Sequence, residues 1–306
     1  MTIEPSDRLT VTATLRQATV ADNRAVFEVF IASLLDLGRR LQVETITGGA
    51  EDIEALWKKR EPIMTHAANT ADKWWVAEDG GRVVGYARST QRDGIRQLTE
   101  FFVRPDVQSG GVGRGLLERV FPPEGARGRL LLATQDTRAL ARYLKSGMLA
   151  RFPVYHFSRP RRNTPYAGDL ESRPISPDQN GLAMLGSIDR EVLGFRRDAD
   201  HRWLMSNRKG FAYIRNGSPV GYGYVGLYQG PFAALDPAAM GTMLAHAESV
   251  AEVEEFGVEA PLINRSALQY LLEHGFRMDP FVNFFLSDVE LGKFDRYLVT
   301  TPSLFI

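Results

Sequence analysis

The 306-residue chain contains no cysteine. Disulfides, thiol nucleophiles and zinc sites built on cysteine are therefore excluded. Neither sign of charge is in excess. Thirty-seven Lys and Arg stand against 37 Asp and Glu, so no net field draws the chain to nucleic acid or a membrane surface. Long hydrophobic runs are also missing. No apolar stretch approaches the roughly 20 residues of a membrane span, and the N-terminus lacks an apolar signal core. The five histidines (His66, His156, His201, His246, His274) share no ligand spacing, which argues against a metal site. The expectation is a cytoplasmic protein with no metal, nucleic acid or membrane among its partners. A content of 44% hydrophobic and 24% charged residues is that of a globular protein, long enough for two domains.

Glycine, by contrast, is concentrated where it can bind something. Residues 98–121 begin with an apolar strand ending in Phe101, Phe102 and Val103, which meets Pro105; proline cannot continue a ladder. A loop rich in glycine follows (Gly110, Gly111, Gly113, Gly115), and then Leu116, Leu117 and Val120 recur at helical spacing. Strand, glycine loop and helix start together offer unpaired N–H groups and the positive end of a helix dipole to an anion. A dinucleotide loop needs a third glycine where Leu116 stands, and a P-loop needs Gly-Lys-Ser/Thr, which is absent. The spacing Gln108-x-x-Gly111-x-Gly113 behind Val103-x-Pro105 instead resembles the acetyl-CoA loop of the GNAT superfamily of N-acetyltransferases.

A second stretch carries the same resemblance. Residues 136–148 place Asp136, Ala139, Tyr143, Gly147 and Met148 against the superfamily's Asn-x-x-Ala-x-x-x-Tyr-x-x-x-Gly-Phe. Asp still caps a helix, and Met still fills an apolar gap.

The plan then recurs. Asp79-Gly-Gly-Arg-Val-Val-Gly-Tyr and Asn216-Gly-Ser-Pro-Val-Gly-Tyr both read as a tight turn entering a strand. Asn264, Ala267, Gly275 and Phe276 repeat the pattern begun at Asp136. Two correspondences in one order predict tandem GNAT-like domains of mixed α/β class. Each should have a central mixed, largely antiparallel sheet flanked by helices. The expected division is 1–160, a linker 161–177 rich in proline, and 178–306. In the first copy, strand 151–157 should close the domain, with helices over 21–37 and 50–59. The second copy has Pro231 and Pro237 where its loop should be, and Leu271 in the tyrosine position, with Tyr270 displaced. It is read as degenerate and the first copy as competent.

The resemblance implies acetyl transfer from acetyl-CoA to the amine of a small molecule. It assigns the diphosphate to Gln108, Ser109, Gly110, Gly111, Val112, Gly113 and Arg114, with Asp136 near the cofactor. Main-chain N–H groups of Phe101, Phe102 and Val103 would polarise the thioester. Tyr143 would act as acid toward the thiolate, since a phenol of pKa about 10 is protonated at neutral pH. Glu100 is the candidate base, as much an ordinary strand carboxylate as a catalytic one. A homodimer is left open. The rival reading is a sensor for CoA or an amine that has the fold without turnover. Elsewhere the bland readings are expected: a solvated loop for His66, core places for Trp74 and Trp75, a solvated basic strip at Arg159, Arg161 and Arg162, and a wet helix face at Glu248, Glu252, Glu254 and Glu255.

Overall fold

The computed structural model describes residues 13–43, 50–107, 111–300 and 306. Contacts divide the chain into Met1–Thr90 with Gln97–Gly125, and Gln91–Arg96 with Ala126–Ile306.

The first unit contains β1 (Thr14–Gln17), α1 (Asn23–Leu41), α2 (Ala50–Asn69), β2 (Lys73–Asp79), all but the tip of the hairpin of β3 (Arg82–Arg92) and β4 (Ile95–Val103), and α3 (Val112–Val120). The strands follow one another in the order β1-β2-β3-β4. The Gly80–Gly81 turn between β2 and β3 has φ +55° and +76°, the backbone a tight hairpin demands. In α1, Val26, Phe27, Val29 and Ile31 are buried, as their spacing predicts. α2 runs ten residues beyond the expected end at Lys59, through Pro62. Proline removes one helical hydrogen bond; burial of Ile63, Met64 and Ala67 just beyond it holds the segment helical. His66 therefore lies half-buried in the last helical turn, not in a solvated loop.

The second unit contains β5 (Gly128–Thr134), α4 (Thr137–Lys145), β6 (Leu149–Pro160), β7 (Glu171–Pro174), α5 (Gln179–Val192), α6 (Asp198–Asn207), β8 (Lys209–Arg215), β9 (Ser218–Val225), β10 (Phe232–Ala234), α7 (Met240–Val250), β11 (Glu255–Pro261), α8 (Arg265–Glu273), β12 (Arg277–Ser287) and β13 (Tyr297–Leu298). One run of strands is β5-β12-β6-β11, and a second sheet is β13-β10-β9-β8-β7. The expected hairpin at Asn216–Gly217 joins β8 to β9, with φ +52° and +78°.

The strand order departs from the sequence expectation. β6 does not close the first repeat beside β5. Strand β12 of the second repeat lies between them, pairing Phe285 with Leu132 on one side and with Phe152 on the other. β6 in turn pairs with β11 of the second repeat, Phe157 opposite Val258. The rings of Phe152 and Phe285 stack at 4.7 Å, so the exchange is fixed by apolar contact as well as by the ladder. The boundary expected at 160 marks the sequence repeat; the units follow the exchanged strands. The expected linker also contains a strand, since Pro174 of β7 pairs with Phe211 at the edge of the second sheet. An edge is where a strand tolerates proline.

Helix α7 brings Met240, Met243 and Leu244 into one fully buried cluster with Phe157, Phe232 and Phe256. Among the described residues no helix is long and apolar enough to cross a membrane.

Candidate functional site

Helix α3 starts at the left-handed Gly111 (φ +81°), which gives it no side-chain cap. Among the described residues a Cβ at Gly111 would meet nothing within 4 Å. Val112, Leu116, Leu117 and Val120 are buried and fix the helix to the sheet, while Arg114 projects outward and pairs with Glu118 at 2.9 Å. First-turn N–H groups without intrahelical acceptors and a helix dipole suit a phosphate oxygen. Gln108, Ser109 and Gly110 lie outside the described residues.

Alternation along β3 and β4 sorts the neighbouring candidates onto two faces. A Cβ on Gly85 would stand 3.3 Å from Leu116 and from Val103, so Val103, and with it Phe101, is on the α3 side. Phe102 packs edge-on against Phe30 of α1, with centroids 5.2 Å apart, which puts Phe102 and Glu100 on the other side. The three residues closing β4 are half-buried.

Glu100 is 7% exposed and engaged. Tyr86 Oη donates to it at 3.1 Å, and Arg88 Nε lies 3.2 Å from its other oxygen. That last pair meets as charges without an aligned hydrogen bond. Arg88 is fully buried. It donates to Met64 O at 2.9 Å and to Asn23 Oδ1 at 3.4 Å, and its guanidinium covers the Trp74 ring at 4.0 Å. Burial, and then the Glu100 charge, push the Tyr86 phenol up. Trp74 is core, as expected, whereas Trp75 is half-buried beneath Arg119. Arg88 and Tyr86 escaped the sequence reading. The signal was an arginine taking the inward register of Val84 and Tyr86.

Tyr143 and Asp136 belong to the second unit. Asp136 caps α4, its Oδ1 accepting from Arg138 N at 3.0 Å, which is the capping role the sequence predicts. Tyr143 is 6% exposed; burial first, then Asp136, raise its pKa, so the phenol stays protonated. Gly147 (φ +88°) ends the helix, and Met148 N donates to Tyr143 O at 3.1 Å.

The second copy repeats this at α8, where Asn264 Oδ1 accepts from Ala267 N at 3.0 Å. It does not repeat the phosphate cradle. Before α7, the Asp236 carboxylate accepts from Ala238 N at 3.0 Å and pairs with Arg215 at 2.7 Å. Asp236 thereby caps the 3₁₀ turn Pro237–Ala239 that leads into α7. Two further expectations are corrected here. Arg159 is buried, not solvated, and pairs with Glu248 at 2.6 Å, while Glu248 is buried instead of wet. Buried ion pairing explains both, since neither charge is stable there alone.

A second buried network escaped the sequence reading. The Asp189 carboxylate accepts from Arg197 Nε at 3.0 Å and Tyr222 Oη at 2.5 Å, and meets His201 Nε2 at 2.8 Å. All four side chains are essentially inaccessible. Burial opposes ionisation of Asp189, yet Arg197 and His201 outweigh it and hold the carboxyl at about 2. Among the described residues no group of three or more His, Asp or Glu is placed to hold a metal.

Residues 70–147 match the acetyltransferase (GNAT) domain family. No curated protein matches the sequence. The fold is similar to that of a putative acetyltransferase from Pyrococcus horikoshii (TM-score 0.70, 15% identity, 96% of each chain covered). It is also similar to a GCN5-related N-acetyltransferase from Sphaerobacter thermophilus (0.56, 13%, 91% of this chain and 95% of that one). A tandem GNAT protein from the clavulanic acid biosynthesis pathway aligns over 90% of this chain and 98% of its own (0.53, 14%). Residues 70–147 thus match a GNAT acetyltransferase domain, in a chain whose fold is similar to that of GNAT proteins, a tandem one among them.

Proposed function

We propose that this protein transfers an acetyl group directly from acetyl-CoA to the amine of a small molecule, with the first repeat catalytic. The observation that carries the reading is the glycine-led start of α3, without a side-chain cap among the described residues, set beside its counterpart, where α7 is entered through a 3₁₀ turn capped by Asp236. The N–H groups of Gly111–Arg114, with Gln108, Ser109 and Gly110, bind the diphosphate. A main-chain N–H among Phe101–Val103 polarises the thioester carbonyl, a contribution of about 3 kcal/mol to the transition state. The amine must attack in its neutral form and lose a proton, and the departing thiolate must gain one. Tyr143, held protonated by burial, supplies the second proton. Glu100 is the carboxylate for the first, and it would act from within its pairing with Arg88 and Tyr86.

That pairing favours one alternative, a CoA- or amine-binding sensor in which Glu100 is purely architectural. Thiol release from acetyl-CoA across a panel of amines separates the two. Turnover with at least one amine is expected, and Tyr143→Phe should lower kcat by about 10²-fold or more with little change in KM, as loss of a general acid does. Tight CoA binding with no thiol release on any amine would leave the sensor.

A further inference from the structure

A cleft in the second unit is lined by none of the residues assigned above to acetyl transfer. β6 ends with Ser158-Arg159-Pro160, and the chain runs on through Arg161 and Arg162. Because β6 pairs on both sides, Arg277 of β12 sits opposite Ser158 and Glu255 of β11 opposite Pro160. These residues, with Glu254 and Gly275, line an open cleft of about 770 Å³, within the ~300–1,000 Å³ range of small-molecule sites.

Four of its nine lining residues are arginines. Arg159 is the built element. It is 6% exposed, its guanidinium lies 4.6 Å above the Phe276 ring, and its Nη2 is tied to Glu248. Its Nε and Nη1 are buried and have no hydrogen-bond partner, an arrangement that is unfavourable unless something accepts from them. Glu248 also accepts from Arg162 N at 3.0 Å, so one carboxylate positions both arginines. Among the described residues no carboxylate pairs with the side chains of Arg161, Arg162 or Arg277. A planar guanidinium with free donors matches phosphate oxygens in pairs. Two exposed carboxylates, Glu254 and Glu255, share the lining, and Ser158 Oγ already donates to Glu255 at 2.5 Å. Carboxylates accept from hydroxyls and repel a second phosphate, so the lining suits a ligand anionic at one end and hydroxylated at the other.

We propose that this cleft binds a phosphorylated sugar, free or within a nucleotide, with the phosphate on the arginines and the sugar hydroxyls on Glu254 and Glu255. The site is independent of the acetyl-CoA loop.

Calorimetric titration of the full chain with ribose 5-phosphate, ADP, ribose and inorganic phosphate tests it. Ribose 5-phosphate or ADP should bind saturably, more tightly than inorganic phosphate, with ribose silent; the tighter of the two identifies the free or the nucleotide form. The double variant Arg162→Glu/Arg277→Glu changes two exposed side chains and should weaken binding at least tenfold. For ribose 5-phosphate, which lacks the diphosphate proposed to sit on the α3 loop, Gly111→Val should leave binding unchanged. Circular dichroism and melting confirm that each variant is folded. No saturable heat with either sugar phosphate overturns the proposal. So does equal binding by the double variant, ribose 5-phosphate binding lost with Gly111→Val, or inorganic phosphate binding as tightly as both.

Discussion

At the scale of single residues, each repeat buries charge beneath a tyrosine from its Val-Gly-Tyr strand. Tyr86 reaches Glu100, which pairs with Arg88, in one; Tyr222 reaches Asp189 and Arg197 in the other. For Asp189 the consequence for stability has a definite sign. Its folded pKa is about 2 against an ordinary value of 3.8, so the unfolded chain binds its proton first as pH falls. The contribution, about 2 kcal/mol, is complete above the unfolded value and disappears as pH drops from about 4 toward 2. Asp189→Asn removes the charge and leaves Arg197 buried beside a neutral amide. The expected loss at pH 7 is about 3–5 kcal/mol, the usual result of breaking a buried pair from one side. Urea unfolding of both proteins at pH 7, 4 and 3 provides the check. The gap should be widest at pH 7 and shrink with acid; equal midpoints at pH 7 would show that Asp189 contributes nothing.

At the scale of elements, the start of α3 is where backbone conformation and function coincide. Gly111→Val puts a β-branched side chain at φ +81°, costing about 1–2 kcal/mol for the left-handed backbone alone. It also shields the N–H groups proposed to face the diphosphate. CoA affinity should fall at least tenfold while the fold survives, read by calorimetry beside a melting curve; undiminished affinity would remove the loop from the cofactor site. The α3 start was legible in the sequence because it is decided locally. A glycine turn, a cap at Asp136 or Asn264 and a hairpin at Asn216–Gly217 depend on residues within four positions of one another. Arg88 and Asp189 were legible in principle, through period. Arg88 follows Val84 and Tyr86 at every second position of β3, and Asp189 falls with Leu182, Leu185 and Val192 on the apolar stripe of α5. A lone charge in an apolar register marks a buried pair, but its partner is distant in sequence and nothing local names it.

At the scale of the whole molecule, the identity of a strand's neighbour was the least legible feature. β5, β6 and β12 are all apolar strands, and alternation says which face is buried without saying which edge is met. The exchange binds the two sequence repeats into one folding problem. β5 has β12 along one edge, and β6 has β12 and β11 along its two. A chain of residues 1–160 alone would lack β12 and β11, leaving open one edge of β5, beside Leu131 and Ala133, and both edges of β6, beside Phe152. Such edges template aggregation. The 161–306 piece would lack β5 and β6 in the same way and leave Phe285 and Val258 uncovered. Expressed separately, each piece is expected to be insoluble or to lack a cooperative melt. Expressed together, they should recover a soluble complex, because the ladders β5–β12, β12–β6 and β6–β11 all form between the pieces. Size-exclusion chromatography and calorimetry of the co-expressed pieces read this directly. A soluble, cooperatively melting 1–160 piece would mean that β6 can return to β5, and that the exchange is one of two arrangements the repeats can adopt.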